Sequence, residues 1–162
     1  MLDCVKFKNE IIDKIGGFVG NLLLNALGEK NILKINEIRL RADKPIEIMT
    51  KTDSFFISAN GLVKSAEIDV FCLPVNEVND VFLRLCRNSL YAFKEDIKNG
   101  FVTIYGGHRV GICGKVQSDG MIRDISALNI RIANEIKGCS AKIMPYIVKN
   151  EFKYANLDTY EV

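Results

Sequence analysis

The sequence has few of the residues from which metal and catalytic sites are usually built. Its 162 residues include one histidine, His108, no tryptophan and no CxxC pair. A zinc site would have to be assembled from scattered thiols, which the usual spacing of zinc ligands disfavours. His108 has no identifiable nucleophile or metal partner, so we interpret it as a hydrogen-bonding surface or hinge residue. We predict no metal site and no catalytic residue in this chain.

An excess of one charge and a long apolar run are also missing. There are 22 basic and 20 acidic residues, a net charge of +2, which disfavours a surface devoted to nucleic-acid phosphates but leaves a local basic stripe open. The longest apolar stretch, residues 18–27, is interrupted by Gly20, Asn21 and Asn25, and a membrane span needs roughly 18 uninterrupted apolar residues. The start lacks the features of a signal peptide. We expect a soluble, intracellular domain.

The cysteines are odd in number and widely separated, a pattern that suits a reducing compartment. We predict that they are buried structural thiols rather than disulfides or ligands. They are Cys4, Cys72, Cys86, Cys113 and Cys139.

The hydrophobic period changes along the first half of the chain. Apolar residues in 3–27 recur at three- and four-residue intervals, which predicts an amphipathic helix, or two helices where glycines interrupt it. In residues 37–41, Ile38 and Leu40 alternate with charged residues and predict a strand. We interpret Lys44-Pro45 as a break that follows this strand. Short strands are then predicted at 46–50, 54–58 and 62–64, with a hairpin turn at Asn60-Gly61.

The second half begins with a helical hairpin and continues as strands. A helix is predicted near 76–87, followed by a short helix that Ser89 caps and Gly100 ends. Three strands joined by tight turns follow at 101–105, 108–117 and about 121–133, and a last helix is expected near 141–148.

This element order defines the expected fold class. Strands paired by hairpins rather than by helical crossovers favour an α+β fold, with antiparallel meanders, an amino-terminal amphipathic helix and a mid-chain helical hairpin. We assign residues 1–148 to a single domain, and residues 149–162 to a linker, a final strand or the start of a further domain.

A glycine-rich segment at 105–115 superficially suggests a phosphate-binding loop. Lys115 is followed by Val116, so the Walker A pattern is absent. We interpret Gly106, Gly107 and Gly111 as structural residues of a tight hairpin and of the strand after it.

Four arginines and four aromatic residues each allow two interpretations. Arginine binds carboxylates and phosphates bidentately, and alternation places three of the arginines on the polar faces of their strands. They are either part of a solvated face balanced by Glu37 and Glu135 or contacts for an anion or nucleotide. The arginines are Arg39, Arg41, Arg109 and Arg131. The aromatic residues suit a core better than a base-stacking surface. They are Tyr91, Phe93, Phe101 and Tyr105.

Four runs of the sequence, in order and spacing, resemble the stage III sporulation protein AA family. The resemblance covers roughly residues 33–148, and the segments GGHRVG and NIRIA are fairly specific to the family. The runs are EIRLR at 37–41, SLYA at 89–92, GFVTIYGGHRVG at 100–111 and LNIRIA at 128–133.

The resemblance implies the amino-terminal domain of a secretion-type AAA+ ATPase, because members of this family are similar to the hexameric ATPases of type II and type IV secretion. It implies a cytoplasmic ring, peripheral at the mother-cell membrane facing the forespore, that energises a channel complex and contacts membrane-embedded channel subunits. ATP and Mg²⁺ would bind a carboxyl-terminal core that follows the matched region. This chain has no Walker A or B motif, so the expected domain binds no cofactor and hydrolyses nothing by itself.

The resemblance also implies that arginines of this domain reach nucleotide phosphates at a subunit interface. The candidate contacts are Arg39, Arg41, His108, Arg109 and Arg131. Two further functions stay open: a nucleic-acid-binding module that uses the arginine face, which the charge disfavours, and a scaffold that only docks channel subunits.

Overall fold

The computed structural model describes residues 4–28, 34–66, 69–134 and 138–144. The helices are α1 (Cys4–Phe7), continued by a π-helical turn (Lys8–Ile12), α2 (Asp13–Ile15), α3 (Gly17–Ala26), α4 (Val75–Leu85), a 3₁₀ turn (Leu90–Phe93) and α5 (Lys94–Lys98). The strands are β1 (Glu37–Arg41), β2 (Lys44–Pro45), β3 (Glu47–Met49), β4 (Ser54–Ser58), β5 (Gly61–Val63), β6 (Cys72–Leu73), β7 (Phe101–Thr103), β8 (Arg109–Val116) and β9 (Ile122–Arg131). The α+β class is confirmed.

The amino-terminal helical region is broken into two parts by a glycine, as the sequence allowed. Gly16 has a φ of +55°, a left-handed conformation that ends α2. The Nε of Arg84, on α4, donates a hydrogen bond of 2.6 Å to the carbonyl of Ile15 at this break. A Cβ on Gly17 would lie 3.0 Å from Nη2 of Arg84. The glycine pair therefore leaves room for the guanidinium that joins the two helical parts to α4.

Seven strands form one antiparallel sheet in the order β5-β4-β3-β1-β9-β8-β7. The first four come from the first half of the chain, and the last three from the second half. Only the pairing of β1 with β9, which extends from Glu37↔Arg131 to Arg41↔Ala127, connects the halves within this sheet. The two predicted meanders are therefore parts of a single sheet.

Helix α4 covers the apolar face of the sheet. Its buried side chains are Val78, Val81, Phe82 and Leu85. Opposite them lie the fully buried strand residues Ile38, Leu40, Leu128, Ile130 and Val110. Asn79 fixes the helix to β9, because its Oδ1 accepts from the N–H of Ile125 at 3.0 Å and its Nδ2 donates to the carbonyl of Ile125 at 3.3 Å. At this point the side chain of Asn79 makes the backbone hydrogen bonds that a neighbouring strand would otherwise make.

Several local predictions are wrong. Lys44-Pro45 does separate β1 from β3, but it also forms the short strand β2, which pairs with β6. Ser89 makes no side-chain capping bond. Of the cysteines only Cys86 is buried, while Cys72, Cys113 and Cys139 are exposed, and none of the five forms a disulfide. Residues 138–143 form turns, and the predicted helix beyond Met144 lies outside the described residues. No helix in the described ranges is long and apolar enough to cross a membrane.

A buried polar pair attaches the π-helical turn to the β7–β8 hairpin. The N–H of Ala133 donates to Nδ1 of His108 at 3.0 Å, so the ring proton lies on Nε2, which is 3.1 Å from Oε2 of Glu10. His108 is fully buried and Glu10 is 5% exposed. Gly106 packs directly on this pair, since a Cβ there would overlap Oε2 of Glu10 and lie 2.8 Å from Nε2 of His108.

We expect Gly106→Ala to destabilise the domain by about 3–5 kcal/mol, because it adds a steric overlap to the cost of a left-handed alanine. Gly107→Ala is the matched control. Its φ of +74° is close to the +84° of Gly106, but the added Cβ would meet only the Cβ of Ala133 at 3.9 Å. The control should lose about 1–2 kcal/mol. Urea unfolding of both variants measures the difference, and equal losses would contradict the proposed packing.

Candidate anion-binding face

The second face of the sheet is open and polar. Residues paired directly across antiparallel strands project to the same side, and the register pairs Glu37 with Arg131, Arg39 with Asn129, and Arg109 with Arg131. None of these five side chains is classed as buried, in contrast to the alternating residues on the helix-covered side. The alternation predicted for Arg39, Arg41 and Arg131 is confirmed, and Arg109 shares their face.

Arginines and glutamates alternate in a row across β9, β1 and β3. Nε of Arg131 lies 3.6 Å from Oε2 of Glu37, and the other oxygen of Glu37 accepts a hydrogen bond from Nε of Arg39. Glu47 Oε2 lies 3.5 Å from Nη1 of Arg39 and 3.1 Å from Nη1 of Arg41. We call this row, Arg131-Glu37-Arg39-Glu47-Arg41, the charge ladder.

The pKa of Arg39 is raised above its ordinary value, mainly by the hydrogen bond from its guanidinium to Glu37. Desolvation acts in the opposite direction, and the charges of Glu37 and Glu47 add to the increase. Arg39 therefore stays fully ionised at any physiological pH. The side chains of Glu37 and Glu47 are only 15% and 14% exposed, so they occupy fixed positions below the more exposed ends of the ladder.

Arg109 extends the positive face to the edge of the sheet. Its guanidinium carbon lies 3.8 Å above the ring centroid of Phe101, a cation–π contact that orients the side chain. Arg109 is also directly opposite Arg131, and like charges at such positions repel. Four arginines with two glutamates give the face a local charge of +2, which an anion between Arg109 and Arg131 would reduce.

Asn129 lies at the centre of this face. It is paired with Arg39 on one side and with Gly111 on the other. Its Oδ1 is buried and has no hydrogen-bond partner among the residues that the structure describes, which is rare for a buried acceptor. Gly111 has no side chain, and a Cβ there would lie 3.8 Å from the Cβ of Asn129.

The structure gathers the four predicted arginines on one face but places His108 elsewhere. We interpreted His108 as a surface or hinge residue, whereas it is buried in the pair with Glu10 and presents no surface to a ligand. Gly106 and Gly107 form the turn before Arg109, and Gly111 lies within β8. Glu135, which we expected to balance the arginines, lies outside the described residues. Glu47 takes part in its place.

Three members of the face were not among the candidate site residues: Glu47, Phe101 and Asn129. Glu47 and Asn129 follow the same two-residue period as the arginines, so alternation alone could have found them. Phe101 was assigned to the core, but it is half-buried beneath Arg109. Among the other aromatic residues, Phe93 is half-buried, and Tyr91 and Tyr105 are 86% and 64% exposed. The prediction of a core position was wrong for both tyrosines.

The face has the chemistry of a surface that binds anions. Both glutamates are held by arginines, and no group of three or more potential metal-ligating residues occurs within the described ranges. What the arrangement offers is several guanidinium groups in fixed positions, which can bind phosphate or carboxylate oxygens with good geometry.

Comparison with known proteins gives the family. The chain matches the family model described as "Sporulation stage III, protein AA" over residues 6–159. It is 32% identical over 148 residues to Stage III sporulation protein AA of Bacillus subtilis (strain 168), an alignment that covers 89% of this chain and 44% of that protein. The chain thus spans less than half the length of this relative. Because the family model covers nearly the whole chain, this chain belongs to the sporulation stage III protein AA family.

Proposed function

We propose that this chain is the amino-terminal, non-catalytic domain of a sporulation ATPase and that its open arginine face contacts nucleotide phosphates bound by a neighbouring subunit. Membership of the sporulation family supports the general role. The relative's greater length supports the division into parts, since the aligned region is 44% of that protein. ATP and Mg²⁺ would bind the remainder of the protein, and this domain would complete the site from outside.

The observation that carries the proposal is the convergence of four arginines on one open sheet face, where two carboxylates, Glu37 and Glu47, lie between them in the described part of the chain. A triphosphate has charge spread over several oxygens, and separated guanidinium groups can neutralise it without holding a metal. Arg109 and Arg131 are the preferred contacts, because they repel each other and Arg131 keeps 73% of its side chain exposed.

The same proposal includes assembly. The domain would form part of a homo-oligomeric ring at the mother-cell membrane, and its movement against the ATPase core would transmit nucleotide binding to membrane-embedded channel subunits. A nucleic-acid-binding module is the weaker candidate, because Glu37 and Glu47 separate the arginines of the ladder and would repel a phosphate backbone that follows it.

Arg131→Gln in the longer protein should lower ATP turnover about tenfold or more, because it removes a charge-assisted contact to phosphate. The mutation should change the unfolding free energy of this chain by less than about 0.5 kcal/mol, since the side chain is mostly exposed. Steady-state ATPase assays and urea unfolding measure the two effects.

The matched control is Arg123→Gln, an exposed arginine on the same strand but beyond the β8–β9 irregularity. It should leave turnover unchanged. If Arg131→Gln instead unfolds the domain, or if both variants lose the same activity, the assigned role of Arg131 is wrong. ATP hydrolysis by the 162-residue chain alone would contradict the proposal as a whole.

Glu37→Gln should increase the affinity of this chain for pyrophosphate about fivefold, because Arg39 and Arg131 lose a competing carboxylate. Isothermal titration calorimetry at low ionic strength measures the effect, which added salt should weaken. Glu95→Gln, on α5, is the control, since its side chain is 79% exposed and lies off the arginine face. No gain in affinity with Glu37→Gln would indicate that the face does not bind phosphate.

A further inference from the structure

Strand β7 forms one edge of the sheet, and the pattern of hydrogen bonds shows which of its backbone groups point outward. The N–H of Ile104 donates to His108 at 2.9 Å, and the N–H of Ile112 donates to Gly100 at 2.8 Å. In an antiparallel pair the hydrogen-bonded positions alternate, so Val102 also bonds to β8. The N–H and C=O groups of Phe101 and Thr103 consequently point away from the sheet, where no strand of the described chain pairs with them.

This edge borders a cleft of about 350 Å³. The opposite wall is formed by the end of α4 and the 3₁₀ turn, which contribute Leu85, Cys86, Ala92 and Phe93, and Ile104 lies on the β7 side. Burial raises the pKa of the Cys86 thiol to about 11, so this side chain is neutral and apolar at physiological pH. The cleft thus combines apolar walls with a free strand edge.

The rim of the cleft has the composition of an interaction surface. Tyr105 lines it and is 64% exposed, and Tyr91, which lies in the 3₁₀ turn between the lining residues Ser89 and Ala92, is 86% exposed. Exposed tyrosines are typical of protein interfaces. Among the described residues that line the cleft, Arg87 supplies the single charge and none is acidic.

We propose that the cleft binds an extended segment of another protein, which adds to β7 as a further strand. The segment would pair its backbone with Phe101 and Thr103, place alternate apolar side chains against Leu85 and Phe93, and set a carboxylate against Arg87. Strand addition beside a helix is a recurrent mode of peptide recognition. This inference does not rest on the proposed nucleotide contact.

Charge favours a different protein over a second copy of this chain. The segment 101–105, FVTIY, contains no acidic residue. Two copies paired through β7 would therefore present no carboxylate from that segment to Arg87. A segment with β-branched residues and an acidic residue would match all three features of the cleft. Its backbone would pair with β7, its apolar side chains would contact the apolar wall, and its carboxylate would pair with Arg87.

The test is a selection of phage-displayed random heptapeptides on the 162-residue chain, followed by fluorescence anisotropy with the best synthetic peptide. We expect enriched peptides to alternate apolar residues with polar ones and to carry an aspartate or glutamate. Thr103→Pro removes the outward N–H without breaking a bond to β8, because proline is tolerated at such edge positions. It should weaken binding about tenfold or more.

Thr103→Ala is the matched control, because it changes the side chain but keeps the N–H, and it should bind as the original chain does. Arg87→Glu should favour peptides with a lysine in place of the acid. Slower hydrogen exchange at the amides of Phe101 and Thr103 upon peptide binding tests the same contact without any mutation. If Thr103→Pro fails to fold, hydrogen exchange at these two amides decides whether the peptide binds at the β7 edge.

Three results would overturn the proposal. The first is that no peptide is enriched, or that the bound peptide leaves exchange at both amides unchanged. The second is equal binding by folded Thr103→Pro and Thr103→Ala, which would place the peptide away from the edge. The third is a dimer in sedimentation velocity that Thr103→Pro abolishes, which would identify the occupant as a second copy of this chain.

Discussion

The pairing of β1 with β9 is the constraint on which the rest of the structure depends. It joins strands about 90 residues apart in sequence and fixes which residues lie on each face. On one side, Ile38 and Leu40 meet Ile130 and Leu128 in the buried core. On the other, the same register brings Glu37 to Arg131. Because side chains alternate, a slip of one residue would bury charges and expose the core, so packing of the core also positions the charge ladder.

Two polar contacts connect the amino-terminal helices to this sheet. Arg84 bonds to the end of α2 from the helix that covers β9, and Glu10 bonds to His108, one residue before Arg109. Such buried contacts are costly unless their groups are well paired. The pair of Glu10 and His108 therefore stabilises the turn from which β8 starts, and the orientation of Arg109 depends on a residue nearly one hundred positions earlier in the chain.

Much of the local structure follows from the sequence, because hydrophobic periodicity reports which face of an element is buried. The strands around Arg39 and Arg131 and the helix at 75–85 were predicted on that basis. Periodicity does not identify the partner of a strand, so the joining of two meanders through β1 and β9 could not be predicted. The same limit applies to His108. Its burial depends on Glu10, which is distant in the chain, and nothing in the sequence indicates that the carboxylate of Glu10 is buried.

The exposed tyrosines illustrate a further limit. Tyr91 lies in a four-residue 3₁₀ turn, and Tyr105 lies two residues beyond the end of β7. Neither segment has a regular period long enough to specify a buried face. The three exposed cysteines show that the burial of a small side chain is also hard to predict, because a thiol fits both a buried and an exposed position. Burial at the ends of elements is determined by tertiary neighbours, which the pattern of residue types does not contain.

The two proposed surfaces share strand β7, which gives a physical reason for them to influence each other. Phe101 supports Arg109 on the open face, while Thr103 lines the cleft. Thr103 is paired with Arg109, so a residue added opposite Thr103 would project onto the arginine face. At a spacing of about 4.8 Å per strand it would lie about 10 Å from the backbone of Arg109. An acidic side chain at that position would then compete with phosphate for Arg109, and an apolar one would not. The sequence of a bound segment would in this way affect nucleotide contact as well as attachment.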